Sequence, residues 1–236
     1  MVGQDHRAMT SFADYYHALT FSHEGYARYL QWLKDETRGF CLLECACGTG
    51  YFSKLCASNG FLVDAMDLDP IMIEHAKQNN NHQNVRYYCQ DMLNLSDFGK
   101  YDAIVVFLDS LNYLESMHQL ASFFKEAHQH LNPKGCLLFD VHQELRIEEF
   151  QDEFIEEDFV LGVPYQWTIQ TIDTNKIQHQ LVFYEDILRK HVFTQTIFSL
   201  QDIMKILEEL NFHVNVQMNL GDSTTDEKYY IKARKD

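Results

Sequence analysis

Apolar positions recur at helical spacing through the first 38 residues. Phe12, Tyr15, Tyr16 and Leu19 form one stripe, and Tyr26, Tyr29, Leu30 and Leu33 a second, before Gly39 punctuates the pattern. Short apolar runs then alternate with helical stripes. Strands are predicted over Phe40–Glu44, Phe61–Asp67, Val85–Gln90, Tyr101–Leu108 and Cys136–Val141. Helices are predicted over Tyr51–Asn59, from Asp69-Pro70 to about Asn80, and over Ser116–Leu131. Asp69 can cap its helix, and Pro70 suits the first helical position. Tyr101–Leu108 is apolar on both faces, as a central parallel strand requires. This alternation predicts an α/β domain built on a mainly parallel sheet.

Residues 160–198 break the alternation. Strand-like stretches at Tyr165–Ile172, Gln178–Phe183 and His191–Phe198 have no helix between them, so they are expected to pair antiparallel. Ser199 then opens a helix through Leu210, and Phe212–Met218 and Lys228–Ala233 form two last strands joined by a polar loop. No linker or repeat interrupts the chain. The expectation is one domain over residues 1–236, with an N-terminal helical part over 1–38 and an antiparallel β insertion over 160–198.

Composition narrows the partners. With 46% hydrophobic and 23% charged residues the chain has the makeup of a globular domain, which excludes disorder for the chain as a whole. The longest apolar run, Ala103–Leu108, is far short of the ~20 residues of a membrane span. Met1–Thr10 is polar and carries no signal region, so a cytoplasmic protein is expected. The net charge of −16, with no basic block, disfavours nucleic acid as a partner. Glu144–Asp158 holds eight carboxylates against Arg146 alone and reads as a solvated face. The six cysteines form no C-x-x-C pair and read as reduced, mostly buried thiols.

The candidate chemistry lies between the first strand and the first helix after it, in Leu42-Leu43-Glu44-Cys45-Ala46-Cys47-Gly48-Thr49-Gly50. Open α/β sheets bind ligands at such places. A dinucleotide fingerprint would need a third glycine where Ser53 stands, and no Gly-Lys-Ser/Thr follows to make a P-loop. Glu44, ahead of the glycines, suits a ligand with positive charge. S-adenosylmethionine (SAM), with its sulfonium and ammonium groups, is such a ligand. The segment resembles the first motif of class I SAM-dependent methyltransferases. Later landmarks resemble that family in order: Asp67, 17 residues after Gly50, and Asp91-Met92 after the third strand. Phe107–Leu114, Leu137–His142, the aromatic N-terminal helices and Tyr165-Gln166-Trp167 are similar to the small bacterial methyltransferases of the YqeM type.

The resemblance implies a Rossmann-like class I methyltransferase fold, with a seven-stranded, mostly parallel sheet, helices on both faces and an antiparallel β insertion over the active site. It implies SAM as cofactor, held by Glu44, Ala46, Cys47, Gly48 and Gly50, by Asp67 and Leu68 at the ribose, and by Met72, Asp91 and Met92 at the adenine. Leu108 would pack on the methionine portion, and Tyr16 and Tyr26 would hold the sulfonium or the carboxylate. Asp109, Tyr113 and His142 would stand near the methyl group as catalytic candidates, His142 as a general base. Asp109, Asp140 and His142 loosely resemble the donor set of metal-dependent O-methyltransferases, but their spacing gives no support and no metal is expected.

The expected function is methyl transfer to an amine or hydroxyl of a small molecule by a monomer or homodimer. The N-terminal helices and the insertion would act as a lid. A protein acceptor, a non-catalytic SAM-binding or scaffold protein, and a nicotinamide-dependent enzyme are the alternatives. No Asn/Asp-Pro-Pro-Tyr/Phe or Pro-Cys segment marks a base methyltransferase.

Overall fold

The computed structural model describes residues 11–220 and 227–236. The polar segment Met1–Thr10 and most of the polar loop before the last strand lie outside the described residues. In chain order the elements are α1 (Phe12–Thr20), α2 (His23–Glu36), β1 (Cys41–Cys45), α3 (Tyr51–Ser58), β2 (Leu62–Asp67), α4 (Pro70–Asn79), β3 (Val85–Cys89) and β4 (Tyr101–Val106). There follow α5 (Met117–His130), β5 (Leu131–His142), α6 (Leu145–Glu149), β6 (Phe154–Val160), β7 (Val163–Asp173), β8 (Lys176–Phe183), β9 (Arg189–Thr196), α7 (Leu200–Glu209), β10 (Phe212–Gln217) and β11 (Lys228–Lys235). Caps explain several helix starts. Ser11 and Asp14 form a reciprocal capping box on α1, and Asp69 caps α4 through the Ile71 amide with Pro70 in the first turn.

The main sheet has seven strands in the order β10-β11-β5-β4-β1-β2-β3. Only β11 runs against the rest, antiparallel to both β5 and β10. Side chains alternate between its two faces. Leu42, Ala103, Val105 and Leu138 pack with α2 and α3, whereas Leu43, Ile104, Val106 and Phe139 pack with α5 and α7. Both faces are covered, which is why the central strands read as unbroken apolar runs. The strand order reverses between β1 and β4, so the carboxyl ends of these two strands diverge into a crevice.

The second sheet is an antiparallel meander, β6-β7-β8-β9. It opens at Phe154, earlier than the expected residue 160. Six of the seven residues of β6 are exposed and three are acids, so no apolar alternation marks the strand. The acidic face is solvated as expected, yet it is ordered by pairing from Phe154↔Ile169 to Val160↔Val163. Leu161 and Gly162 turn the hairpin with φ of +50° and +81°, the left-handed pair a two-residue hairpin demands.

Helix α1 packs on this second sheet. Tyr15 stacks on Phe183 with ring centres 4.5 Å apart, and Phe12 stacks on His191 at 4.0 Å. Asp14 also meets His75 of α4 at 3.1 Å, tying α1 to the main sheet's helices.

Candidate active site

The loop from β1 to α3 is shaped by backbone conformations that side chains resist. Ala46, Gly48 and Gly50 all have positive φ, at +56°, +51° and +76°. The two glycines answer different needs. A Cβ on Gly50 would sit 2.6 Å from the Tyr87 hydroxyl and 2.8 Å from Ala76, so this glycine permits close packing within the fold. A Cβ on Gly48 would meet nothing within 4 Å, so this stretch of backbone faces open space. The Gly48 amide donates to Asp67 Oδ2 at 2.8 Å, and the Asp69 amide donates to Oδ1 at 2.9 Å. Each carboxylate oxygen keeps further lone pairs for a ligand. Burial raises the Asp67 carboxyl above its ordinary range.

Glu44 lies beneath the loop, where it is 6% exposed and accepts a short hydrogen bond from the Ser53 hydroxyl. Burial pushes its carboxyl up to about 8. Cys47 is buried, with its amide on Met66 O at 2.8 Å.

The crevice holds a cavity of about 510 Å³. From the main sheet it is lined by Ala46, Gly48, Asp67, Leu68, Met72, Asp91 and Met92, and from the opposite side by Phe12, Tyr16, Tyr113 and Phe193. The Tyr16 and Tyr113 hydroxyls lie 3.5 Å apart. Burial, and then the nearby Asp109 carboxylate, raise Tyr16; burial, with Tyr16 and Asp109, raises Tyr113, so both phenols keep their protons.

Behind this end, at the exit of β4, Leu108 and Asp109 are both left-handed, with φ of +57° and +51°. Two such residues in succession, neither a glycine, cost about 1–3 kcal/mol each, so the surroundings must hold them. The Asp109 amide donates to Asp140 Oδ2 at 2.8 Å. The Lys228 ammonium bridges Asp109 and Asp140, and Gln195 Nε2 donates to Asp109 Oδ2 at 2.8 Å. Burial opposes the charge on Asp109, but Lys228 and His142 outweigh it and hold this carboxyl well below the usual range. Burial likewise opposes the charge on Lys228, and the two carboxylates outweigh it. The ammonium occupies the place between Asp109 and Asp140 that a hard cation would need.

The residues named from sequence thus divide. Tyr16, Ala46, Gly48, Asp67, Leu68, Met72, Asp91, Met92 and Tyr113 line one cavity. Glu44, Cys47 and Gly50 support the loop from below. Tyr26 stands in an aromatic cluster with Tyr51 at 4.9 Å and Phe52 at 6.2 Å, and Leu108 packs on the α2–α3 side of the core. Asp109 and His142 lie behind the wall, with His142 Nε2 3.3 Å from Asp109 Oδ2. Phe12, Phe193 and Lys228 were not anticipated. Nothing local distinguishes a lysine that opens an edge-side strand, or an aromatic on a half-exposed one.

The geometry fits SAM. Open space over Gly48, a carboxylate with spare lone pairs at the end of β2, and the Asp91-Met92 pair surround one cavity. Among known proteins, a methyltransferase-domain family model matches residues 42–135. A SAM-dependent methyltransferase from Clostridium acetobutylicum ATCC 824 has a similar structure, with a TM-score of 0.79, 20% identity, and 92% of this chain and 93% of that one covered. SAM-bound CalS10, an amino pentose methyltransferase from Micromonospora echinaspora, superposes with a TM-score of 0.74 at 18% identity, covering 93% and 94% of the two chains. In sequence, the chain is 30% identical over 240 residues to YqeM of Bacillus subtilis (strain 168), named as a methyltransferase, across 95% of this chain and 96% of that protein. A likeness that runs from end to end, on a fold whose crevice fits SAM, makes this chain a member of the YqeM-type family of SAM-dependent methyltransferases.

Proposed function

We propose that the protein methylates a small molecule, and that the acceptor atom is an amine in preference to a hydroxyl. The observation that carries this reading is the aromatic end of the cavity. Tyr16, Tyr113, Phe12 and Phe193 enclose it, two phenol hydroxyls face each other there, and the whole volume of about 510 Å³ falls within the range of small-molecule sites. CalS10, described as an amino pentose methyltransferase, gives the reading further support.

SAM supplies a methyl group already activated by its sulfonium. The protein's task is therefore alignment and exclusion of water. With SAM bound, Asp67 would accept from the ribose, Asp91 and Met92 would hold the adenine, and the backbone at Gly48 would let the ligand approach closely. The Tyr16 and Tyr113 hydroxyls would orient the acceptor's lone pair, and the ring of Tyr16 could attract the sulfonium. N-methylation develops positive charge on the acceptor nitrogen, and ionised Asp109 behind the wall favours it. Asp109 is too weak a base to take a proton, and neither it nor His142 lines the cavity. A hydroxyl that must be deprotonated meets no base at this end, whereas a neutral amine needs none. His142 then serves Asp109 instead of the acceptor.

The experiment is transfer of labelled methyl from SAM into a fractionated metabolite extract. Label should enter a small cationic product, and Asp67→Ala should suppress it. Label confined to macromolecules would overturn the reading in favour of a protein acceptor. Bound SAM with no label transferred would leave a non-catalytic binder.

A further inference from the structure

Asp109 is the end point of a hydrogen-bond chain that starts at Trp167 in the second sheet. Trp167 Nε1 donates to His179 Nδ1 at 3.2 Å, His179 Nε2 meets Gln195 Oε1 at 3.0 Å, and Gln195 Nε2 donates to Asp109 Oδ2 at 2.8 Å. Its direction follows from chemistry at both ends. The indole can only donate, so His179 Nδ1 must accept and the imidazole proton sits on Nε2. An ionised carboxylate can only accept, so the Gln195 amide must turn its NH₂ to Asp109 and its oxygen to His179. The two ends require the same arrangement. Burial drives the His179 imidazolium down to about 4, so this ring stays neutral and keeps that tautomer. Gln195 is 2% exposed and His179 is 5% exposed.

The same side chains support the cavity wall. His179 stacks on Phe193, with ring centres 4.8 Å apart and planes 10° apart, and Phe193 contacts Tyr113 at 5.8 Å. Phe193 and Gln195 are two residues apart on β9 and so share a face. Asp109 leads directly into the 3-10 turn Ser110–Tyr113, and Asn112 Nδ2 in that turn donates to Thr196 O at 2.7 Å. Two of the four residues that close the cavity opposite the cofactor side, Tyr113 and Phe193, are therefore held through one buried set of bonds between β9 and the exit of β4.

We propose that Gln195, oriented by His179 and Trp167, is a positioning residue that locks the second sheet to the left-handed turn at Leu108–Asp109 and thereby sets the acceptor end of the cavity. This rests on the reading that the acceptor lies at the aromatic end of the cavity, against Tyr113. Gln195 reaches the reaction only through Asp109 and the wall.

The test uses the full chain saturated with S-adenosylhomocysteine. It follows hydrogen exchange of the amides in 109–114, with β1 as the internal reference. In Gln195→Leu, protection over 109–114 should fall about tenfold or more, in keeping with loss of a hydrogen bond to a charged group, while β1 is unchanged. Gln195→Glu supplies a sharper readout within one protein. A neutral glutamic acid reproduces the amide, accepting from His179 and donating to Asp109. Its carboxylate has no donor and repels Asp109, and burial beside that charge raises its pKa. Protection over 109–114, corrected for intrinsic exchange, should be near wild type at about pH 5 and lost by about pH 8. The groups facing position 195 are Asp109, His142 of β5 and His179 of β8, with Lys228 of β11 behind Asp109; wild type and Gln195→Leu, which carry no acid at 195, are followed over the same pH range. Unchanged protection in Gln195→Leu, or a Gln195→Glu profile that parallels wild type, overturns the proposal. Should Gln195→Leu lose β1 protection too, the comparison within Gln195→Glu still decides. With an acceptor in hand, Gln195→Leu should raise its KM while the Kd for S-adenosylhomocysteine stays constant. Failure of wild type to transfer methyl would instead sink the functional reading and leave the exchange result standing.

Discussion

The two ends of the cavity are built in opposite ways. At the β1–β3 end, the chain makes its site from backbone: a loop with three positive φ angles, an amide of that loop on Asp67, and short-range turns at each strand exit. At the β4–β5 end, side chains from β5, β9 and β11 converge on one residue, Asp109, whose partner Lys228 is 119 positions away in sequence. The first end is a local structure that a few residues specify. The second is a tertiary one, stable only as a whole, because each buried charge depends on the next.

The largest expected effect falls at the tertiary end. Lys228→Met leaves Asp140, which is fully buried, facing Asp109 without a counter-charge. Breaking such a set by removing one partner costs about 3–5 kcal/mol. Urea unfolding should show most of that loss at neutral pH. The loss should shrink on acidification, because Asp140, raised by burial and no longer opposed by Lys228, takes up a proton. A loss below about 1 kcal/mol would mean that the far end is no more interdependent than the near one.

Asp67→Ala tests the backbone-built end. SAM should bind more weakly by about 1.5–3 kcal/mol, the worth of hydrogen bonds to a charged group. Thermal stabilisation by ligand should fall accordingly. An unchanged Kd in calorimetry would remove Asp67 from the ribose and move the weight of binding to the loop.

A third effect concerns pH. The Glu44 carboxyl is raised by burial to about 8 in the fold, against an ordinary value of 4.5. The folded state therefore binds a proton that the unfolded state releases, and stability declines as pH rises through the window between these values. Glu44→Gln should flatten that decline, so melting curves of the two proteins should diverge between about pH 5 and about pH 8, with the variant the more stable at the upper end. Parallel curves would show that Glu44 stays ionised beneath the loop.

The same contrast explains what could be read from sequence. The parallel sheet was legible because both-face burial leaves apolar runs such as Ala103–Leu108 and helical stripes such as Leu120, Phe123, Phe124 and Ala127. Gly48, Asp67 and Asp91 were legible because a backbone-built site leaves its marks at strand exits, at fixed offsets. Strand β6 was not, since Glu156, Glu157 and Asp158 replace the apolar alternation with charge on an exposed edge. Lys228 and His179 were not legible either. Their meaning comes from what lies across the sheet, and a lysine beginning a strand or a histidine within one looks the same whether it faces water or a buried acid.

Strand β11 slots between β5 and β10 and carries Lys228 at its first position. During synthesis it is the last strand of the sheet to leave the ribosome. Until then the edge of β5 is bare, and Asp109 and Asp140 have no ammonium between them. The aromatic end of the cavity thus gains its buried ammonium only with the pairing of β11, a long-range contact of the kind that forms late in folding.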